Sequence, residues 1–359
     1  MDDQLDEDSQ CFSLLLGYSS LVPPSKLSWP SEVSFSQVHS FLLNRILLDP
    51  HLTSYPPSER YQQSFWKWVI KNVEAMDRSD EDDELDERIY NHHLSLLSHD
   101  SSGPPPQSYV TSYWKGPAFQ LSLRTATLLE SRTTIEGGTT GLRTWKASYA
   151  LSSFLLKRPG LVAGKHVLEL GCGTGLLGII VAGIQQFAGD VSADGSQLWL
   201  TDISDLVLER SSNNVQLPCN TSSIHPNVRY ASLNWSDALE KEGAASLTSL
   251  LETINPDMIL GADLVFDPSL VSPLAAVLSL ALSVKTGSSR SKEAFIALTI
   301  RNEQTLAYFL EVVGEKLHCE ELHLDDAGSS TILTGAMESD LDNSQDVKIF
   351  KITKGSRPP

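Results

Sequence analysis

The segment Val167-Leu-Glu-Leu-Gly-Cys-Gly-Thr-Gly-Leu-Leu-Gly178 restricts this chain more than any other stretch. A short apolar run ends in Gly171, Gly173 and Gly175, and a second apolar run with helical spacing follows at once. A buried strand that turns straight into a helix through alternating glycines lets a ligand approach the backbone, because no Cβ stands in the way. An ordinary strand-to-helix turn needs no such series. The expected fold is a parallel sheet covered by helices, with the ligand at the carboxyl ends of the central strands.

Two ligands are compatible with the glycines alone. Gly173-x-Gly175-x-x-Gly178 formally matches a dinucleotide fingerprint, in which a pyrophosphate faces the helix N-terminus. Glu169 argues against it: a carboxylate two residues before the first glycine repels a pyrophosphate and suits a ligand carrying an ammonium group. The next acid at a strand end, Asp202, lies 31 residues after Gly171, where a dinucleotide fold places its acid at about 20. Asp202 can accept two ribose hydroxyls from either ligand, or cap the helix that follows.

From Lys165 onward, β-branched apolar runs alternate with helical stretches. The predicted strands are 165–170, 197–201, 227–233, 257–264, 294–300, 318–324 and 347–353, with helices at 174–186, 204–215, 270–284 and 303–317. This is an α/β, doubly wound, seven-strand Rossmann-like sheet whose last strand is antiparallel. Ahead of it, 34–48 and 58–76 have helical apolar spacing with serine caps, and 84–97 predicts another helix. The Ser/Gly/Pro-rich stretch 98–107 reads as a linker. The chain thus divides into a mainly helical N-terminal extension, 1–107, and a sheet domain, 108–359.

Charge and cysteines exclude several classes. The 45 acids against 27 Lys and Arg give a net charge of −18, which argues against nucleic-acid binding, since phosphates need clustered bases. Residues 1–120 hold 18 of the acids, eight of them within Asp77–Glu87. That run reads as a solvated segment or a face for a partner. The longest apolar runs reach only about nine residues, where a membrane-spanning helix needs about twenty. The four cysteines form no Cys-x-x-Cys pair and His92–His93 has no third ligand at metal spacing, so reduced thiols and no metal site are expected. An acidic N-terminus without a secretory pattern makes the cytoplasm the expected location. A monomer is expected.

Three further motifs lie where a ligand of this fold would sit. They are Gly137-Gly-Thr-Thr-Gly-Leu-Arg-Thr-Trp145 before the first strand, Leu233-Asn-Trp235 after the third, and Gly261-Ala-Asp-Leu-Val-Phe-Asp-Pro268 after the fourth. Glu-Leu-Gly-Cys-Gly-Thr-Gly (169–175) resembles motif I of the seven-strand S-adenosylmethionine-dependent methyltransferases. The Asp-x-x-Phe of 263–266, where other relatives carry Asn/Asp-Pro-Pro-Tyr, resembles the protein-lysine members of that group. With TTGLRTWKAS (139–148), LNW (233–235), GADLVFDPS (261–269) and FWKWVIKN (65–72), the likeness is to the elongation-factor-2 lysine methyltransferases.

That resemblance implies S-adenosylmethionine as cofactor, a protein substrate (elongation factor 2) and no nucleic-acid or membrane partner. It implies cofactor contacts at Trp145, Gly171, Cys172, Gly173, Asp202, Trp235 and Ala262, beside Glu169 and Gly175 of the glycine turn. Catalytic roles fall to Asp263 and Phe266. Phe266 stands where many relatives carry Tyr, so no phenolic hydroxyl acts there. Other substrates, such as a chaperone or calmodulin, and an inactive methyltransferase fold used for assembly are the alternatives. A lysine must be neutral to accept a methyl group, and its ordinary pKa is about 10.4. A desolvated, aromatic-walled channel favours that form, while Asp263 is expected to orient the amine by a hydrogen bond.

Overall fold

Runs of Val, Leu and Ile too short for helices and buried on both faces call for parallel strands, and the computed structural model forms them. It describes residues 10–76, 84–98, 107–116, 123–189, 195–284, 292–322, 332–335 and 346–355. Positions 77–83 of the acidic run and 99–106 of the expected linker lie outside the described residues. The chain divides into two compact units, one of Met1–Trp114, Thr127–Thr133 and Leu333–Asn343, the other of Lys115–Ala126, Thr134–Ile332 and Ser344–Pro359.

The first unit carries α1 (Phe12–Ser19), α2 (Phe35–Phe41), α3 (Pro50–Ser54), α4 (Glu59–Glu74) and α5 (Glu87–Leu97). Local chemistry sets their starts. Ser34 and Gln37 form a capping box before α2, and Asp49 accepts from His51 N (2.9 Å) and Leu52 N (3.0 Å) ahead of α3. Beyond α2 the chain continues as a π-helix over Leu42–Leu47, so the single helix expected at 34–48 changes pitch. Helix α4 buries Phe65, Trp66, Val69 and Val73 along one face, with the Tyr18 ring 4.6 Å from that of Phe65. A small sheet absent from the expected elements has the order β2-β1-β9, formed by β1 (Ser108–Lys115), β2 (Leu123–Glu130) and β9 (Ile332–Leu333).

The second unit contains α6 (Lys146–Leu156), β3 (His166–Leu170), α7 (Leu176–Ala188), β4 (Gln197–Asp202), α8 (Asp205–Val215), β5 (Val228–Ser232) and α9 (Lys241–Ile254). It continues with β6 (Met258–Ala262), α10 (Val271–Ser283), β7 (Glu293–Thr299), α11 (Glu303–Gly314), β8 (Leu317–Leu322) and β10 (Val347–Lys354). The seven-stranded sheet has the order β5-β4-β3-β6-β7-β10-β8. The first five strands are parallel and β10 is antiparallel to both neighbours. All seven expected strands are therefore present, with the last antiparallel as expected, and α6 and α9 add to the four helices expected between them.

The chain winds outward from β3 through β4 to β5, then crosses back to β6 on the other side of β3 and winds the opposite way. A crevice opens at that reversal, past the carboxyl ends of β3 and β6. Helix α7, whose residues Leu176 to Gln185 are all buried, packs against β4, and Leu274, Val277, Leu278 and Ala281 of α10 share one apolar cluster with Leu168 and Leu170 of β3 and Ile259 of β6.

Candidate active site

Strand β3 delivers the chain into a left-handed turn, with φ of 63° at Gly171, 52° at Gly173 and 92° at Gly175. At Gly171 a close approach adds to the torsional demand. A Cβ there would stand 2.7 Å from a Leu264 methyl and 3.6 Å from the Trp235 ring. Any side chain would strain the backbone and displace the wall opposite. The turn is fastened by Cys172 N donating to Thr201 O (2.9 Å) and Gly175 N to Cys172 O (3.0 Å). Asn214 Nδ2 donates to Thr174 O (2.9 Å), and the Thr144 and Thr174 hydroxyls lie 2.6 Å apart. This last contact ties the 139–145 segment to the turn, and Trp145 Nε1 donating to Thr140 O (3.1 Å) fixes the indole.

These pieces enclose a cavity of about 330 Å³. Its wall brings together Trp145, Gly171, Cys172, Gly173, Asp202, Trp235, Ala262, Asp263 and Phe266. Glu169 and Gly175, also singled out in the sequence, lie behind that wall. Gly175 precedes α7 as its N-cap. Glu169 is buried within β3, its carbonyl accepting from Thr201 Oγ1 (2.6 Å), and its Oε2 has no hydrogen-bond partner among the described residues. Burial, with Asp202 nearby, pushes its carboxyl well above the ordinary value. Burial, with Glu169 and Asp202, pushes the Cys172 thiol up in the same way. Cys172 is buried in the cavity wall.

Asp202 ends β4 and accepts from Ser204 N (3.1 Å). Burial raises its carboxyl above the usual range, against the lowering effect of backbone N–H groups from Ser204, Gly173 and Ile203. The exposed Ile203 offers an apolar surface beside it, a wall residue the sequence reading missed.

The expected fourth strand, 257–264, stops at Ala262, because Asp263 turns out of the strand at φ 57°. Its carboxylate is held on four sides. Thr299 N reaches Oδ1 (3.0 Å) and Thr299 Oγ1 reaches Oδ2 (2.9 Å). The Arg301 guanidinium adds a bidentate pair, 3.2 Å to each oxygen. The guanidinium carbon also lies 5.2 Å from the Trp145 ring centroid, and that of Arg143 lies at 5.8 Å. Sequence reasoning passed over Arg301 and Thr299. Their one visible signal was position: Thr299 closes β7 and Arg301 follows it, at the carboxyl end of a central strand. Phe266, three residues past Asp263, is 60% exposed at the cavity rim.

Comparison with known proteins fits this arrangement. Residues 127–315 match the lysine methyltransferase family. The protein-lysine N-methyltransferase EEF2KMT of Bos taurus is 28% identical over 79% of this chain and 79% of its own. The protein-lysine N-methyltransferase EFM3 of Chaetomium thermophilum is 30% identical over 75% and 77%, and EFM3 of Saccharomyces cerevisiae is 24% identical over 80% and 81%. The chain belongs to the lysine methyltransferase family, whose methyl donor is S-adenosylmethionine.

Proposed function

We propose that the cavity at the carboxyl ends of β3, β4 and β6 holds S-adenosylmethionine, and that the chain transfers its methyl group to a lysine of a folded protein, translation elongation factor 2. The observation that carries this reading is the joining, in one cavity, of the glycine turn, the Asp202 carboxylate and the Asp263–Phe266 acid-aromatic pair. The relatives named as protein-lysine N-methyltransferases and the elongation-factor-2 likeness of the motifs support the choice of substrate.

The residues fit the cofactor. The cradle at Gly171 is one that a Cβ would fill. Asp202 offers a carboxyl acceptor for two ribose hydroxyls, Trp235 and Ile203 offer faces for a base, and Trp145 offers an aromatic face to a cation, worth about 0.5–2 kcal/mol. When bound, the cofactor supplies an electrophilic methyl carbon. The chain's own part is to desolvate the lysine between Phe266 and Trp145, to favour its neutral form, and to hold the nitrogen in line.

The N-terminal extension is proposed to dock the substrate, with its acids facing basic patches on the partner. Asp86 is already committed within its own helix. It accepts from Arg88 N (2.9 Å) and from the Arg88 guanidinium (2.7 Å). The deciding experiment incubates the purified chain with labelled S-adenosylmethionine and purified elongation factor 2, and in parallel with a cell extract. Label on a lysine of elongation factor 2 is the expected result. Label on another protein moves the substrate within the class, and none at all, with cofactor binding intact, leaves an inactive binding module.

A further inference from the structure

The Asp263 carboxylate, placed to meet a lysine, is already saturated. A carboxylate has about four acceptor positions, and Thr299 and Arg301 occupy four. A bare carboxylate in that place would stabilise the charged ammonium form of an incoming lysine, the form that cannot accept a methyl group. A guanidinium paired with both oxygens cancels that effect and remains charged at every working pH.

Arg301 is well placed for this. It lines the cavity, its side chain is 33% exposed against 5% for Asp263, and its guanidinium carbon lies 5.2 Å from the Trp145 ring. Arg143 and Asp202 are the other charged side chains on the cavity wall, Cys172 is a buried wall residue of the glycine turn, and Glu169 is buried outside the lining. Asp267, after Phe266, and Glu303, at the start of α11, are exposed. Among the described residues, no other cation forms an ion pair with Asp263.

We infer that Arg301 is a positioning residue for methyl transfer. It locks Asp263 as a charge-neutral pair, and so keeps the acceptor lysine in its neutral, nucleophilic form. The inference rests on the proposed lysine acceptor. Asp263 and Arg301 then act as one unit: the carboxylate orients Arg301 across Trp145, and Arg301 prevents the carboxylate from trapping the substrate as ammonium.

The test measures kcat and KM from pH 6.5 to 9.5, with labelled S-adenosylmethionine and elongation factor 2, after circular dichroism has shown each variant folded. Arg301→Gln should lose about tenfold or more in kcat at pH 7, for a lysine shift of about one unit. That deficit should close as the pH rises, with no increase in KM for the protein substrate. Arg301→Lys, which keeps the charge, should hold the wild-type pH midpoint. Adding Asp263→Asn to Arg301→Gln should bring the midpoint back toward wild type, although the enzyme stays slow. A loss in Arg301→Gln that is equal at every pH, or a midpoint unmoved by the second substitution, overturns the assignment alone. A wild-type chain that labels no lysine overturns the proposed function and takes this inference with it.

Discussion

Asp202 ends β4 and Asp263 follows the end of β6, the two strands that flank β3, and both face the same cavity. Their surroundings differ. Asp202 meets backbone N–H groups and is pushed up by burial. Asp263 is gripped by a hydroxyl, an amide and a guanidinium. One carboxylate keeps acceptor capacity for a ligand, while the other spends it on the protein. Topological position alone does not give a strand-end acid its role; the partners brought by the next strand do. Among the described residues, β5 and the residue after it meet Asp202 through the backbone, Leu233 N donating to its carbonyl (3.0 Å), whereas Thr299 and Arg301, at and beyond the end of β7, hold the Asp263 carboxylate.

The largest expected effect separates the two acids directly. Asp202→Ala should weaken S-adenosylmethionine binding by roughly a hundredfold in calorimetry, as expected for two hydrogen bonds to a charged group. Asp263→Ala should change that affinity by no more than about threefold while lowering turnover at least about tenfold. Equal effects on affinity would dissolve the distinction.

A pH series sharpens it. The ionised Asp202 is the form that accepts ribose hydroxyls, and its raised carboxyl takes up a proton at higher pH than an ordinary Asp. Cofactor affinity should therefore fall on acidification from above the usual carboxylate range. Asp202→Asn should bind more weakly but show no such fall. A wild-type affinity that stays flat down to the ordinary Asp value of about 3.8 would place the carboxylate away from the ligand.

The grip on Asp263 predicts a smaller, structural effect. Thr299→Val deletes one hydrogen bond to a buried charge and should cost about 2 kcal/mol, read as a Tm lower by roughly 4–8 °C. Smallest is Phe266→Ala. An exposed ring should move stability by no more than about 0.5 kcal/mol, yet raise KM for the protein substrate. A large loss of stability there would make the ring part of the core and not part of the rim.

The sequence displayed what is local and hid what is tertiary. Gly171 to Gly175 announce themselves because the turn's geometry is encoded within five residues, and β3 and α7 follow from it. Helix α9 escaped because Gly243 and a Ser/Thr-rich stretch weaken its helical propensity. It is held by burial of Leu247, Leu251 and Ile254. Strand β1 escaped for the opposite reason: Val110 to Trp114 are all buried, so no alternation marks it. Glu169 looked like a ligand group from its place before the turn, but the pleat of β3 directs it into the protein interior. Arg301 was illegible in principle. Its partner lies 38 residues away, and only the pairing of β6 with β7 brings them together.

The left-handed backbone at Asp263 has a consequence for how this position can change. An ordinary side chain there carries a penalty of about 1–2 kcal/mol, which glycine escapes and Asn or Asp partly escapes. A library selected only for thermal resistance should therefore sample Asn beside Asp at 263 and reject Glu, although Glu preserves the charge. Selection for methyl transfer should restore Asp. The identity of one residue would then report whether a variant population has been kept for its chemistry or only for its fold.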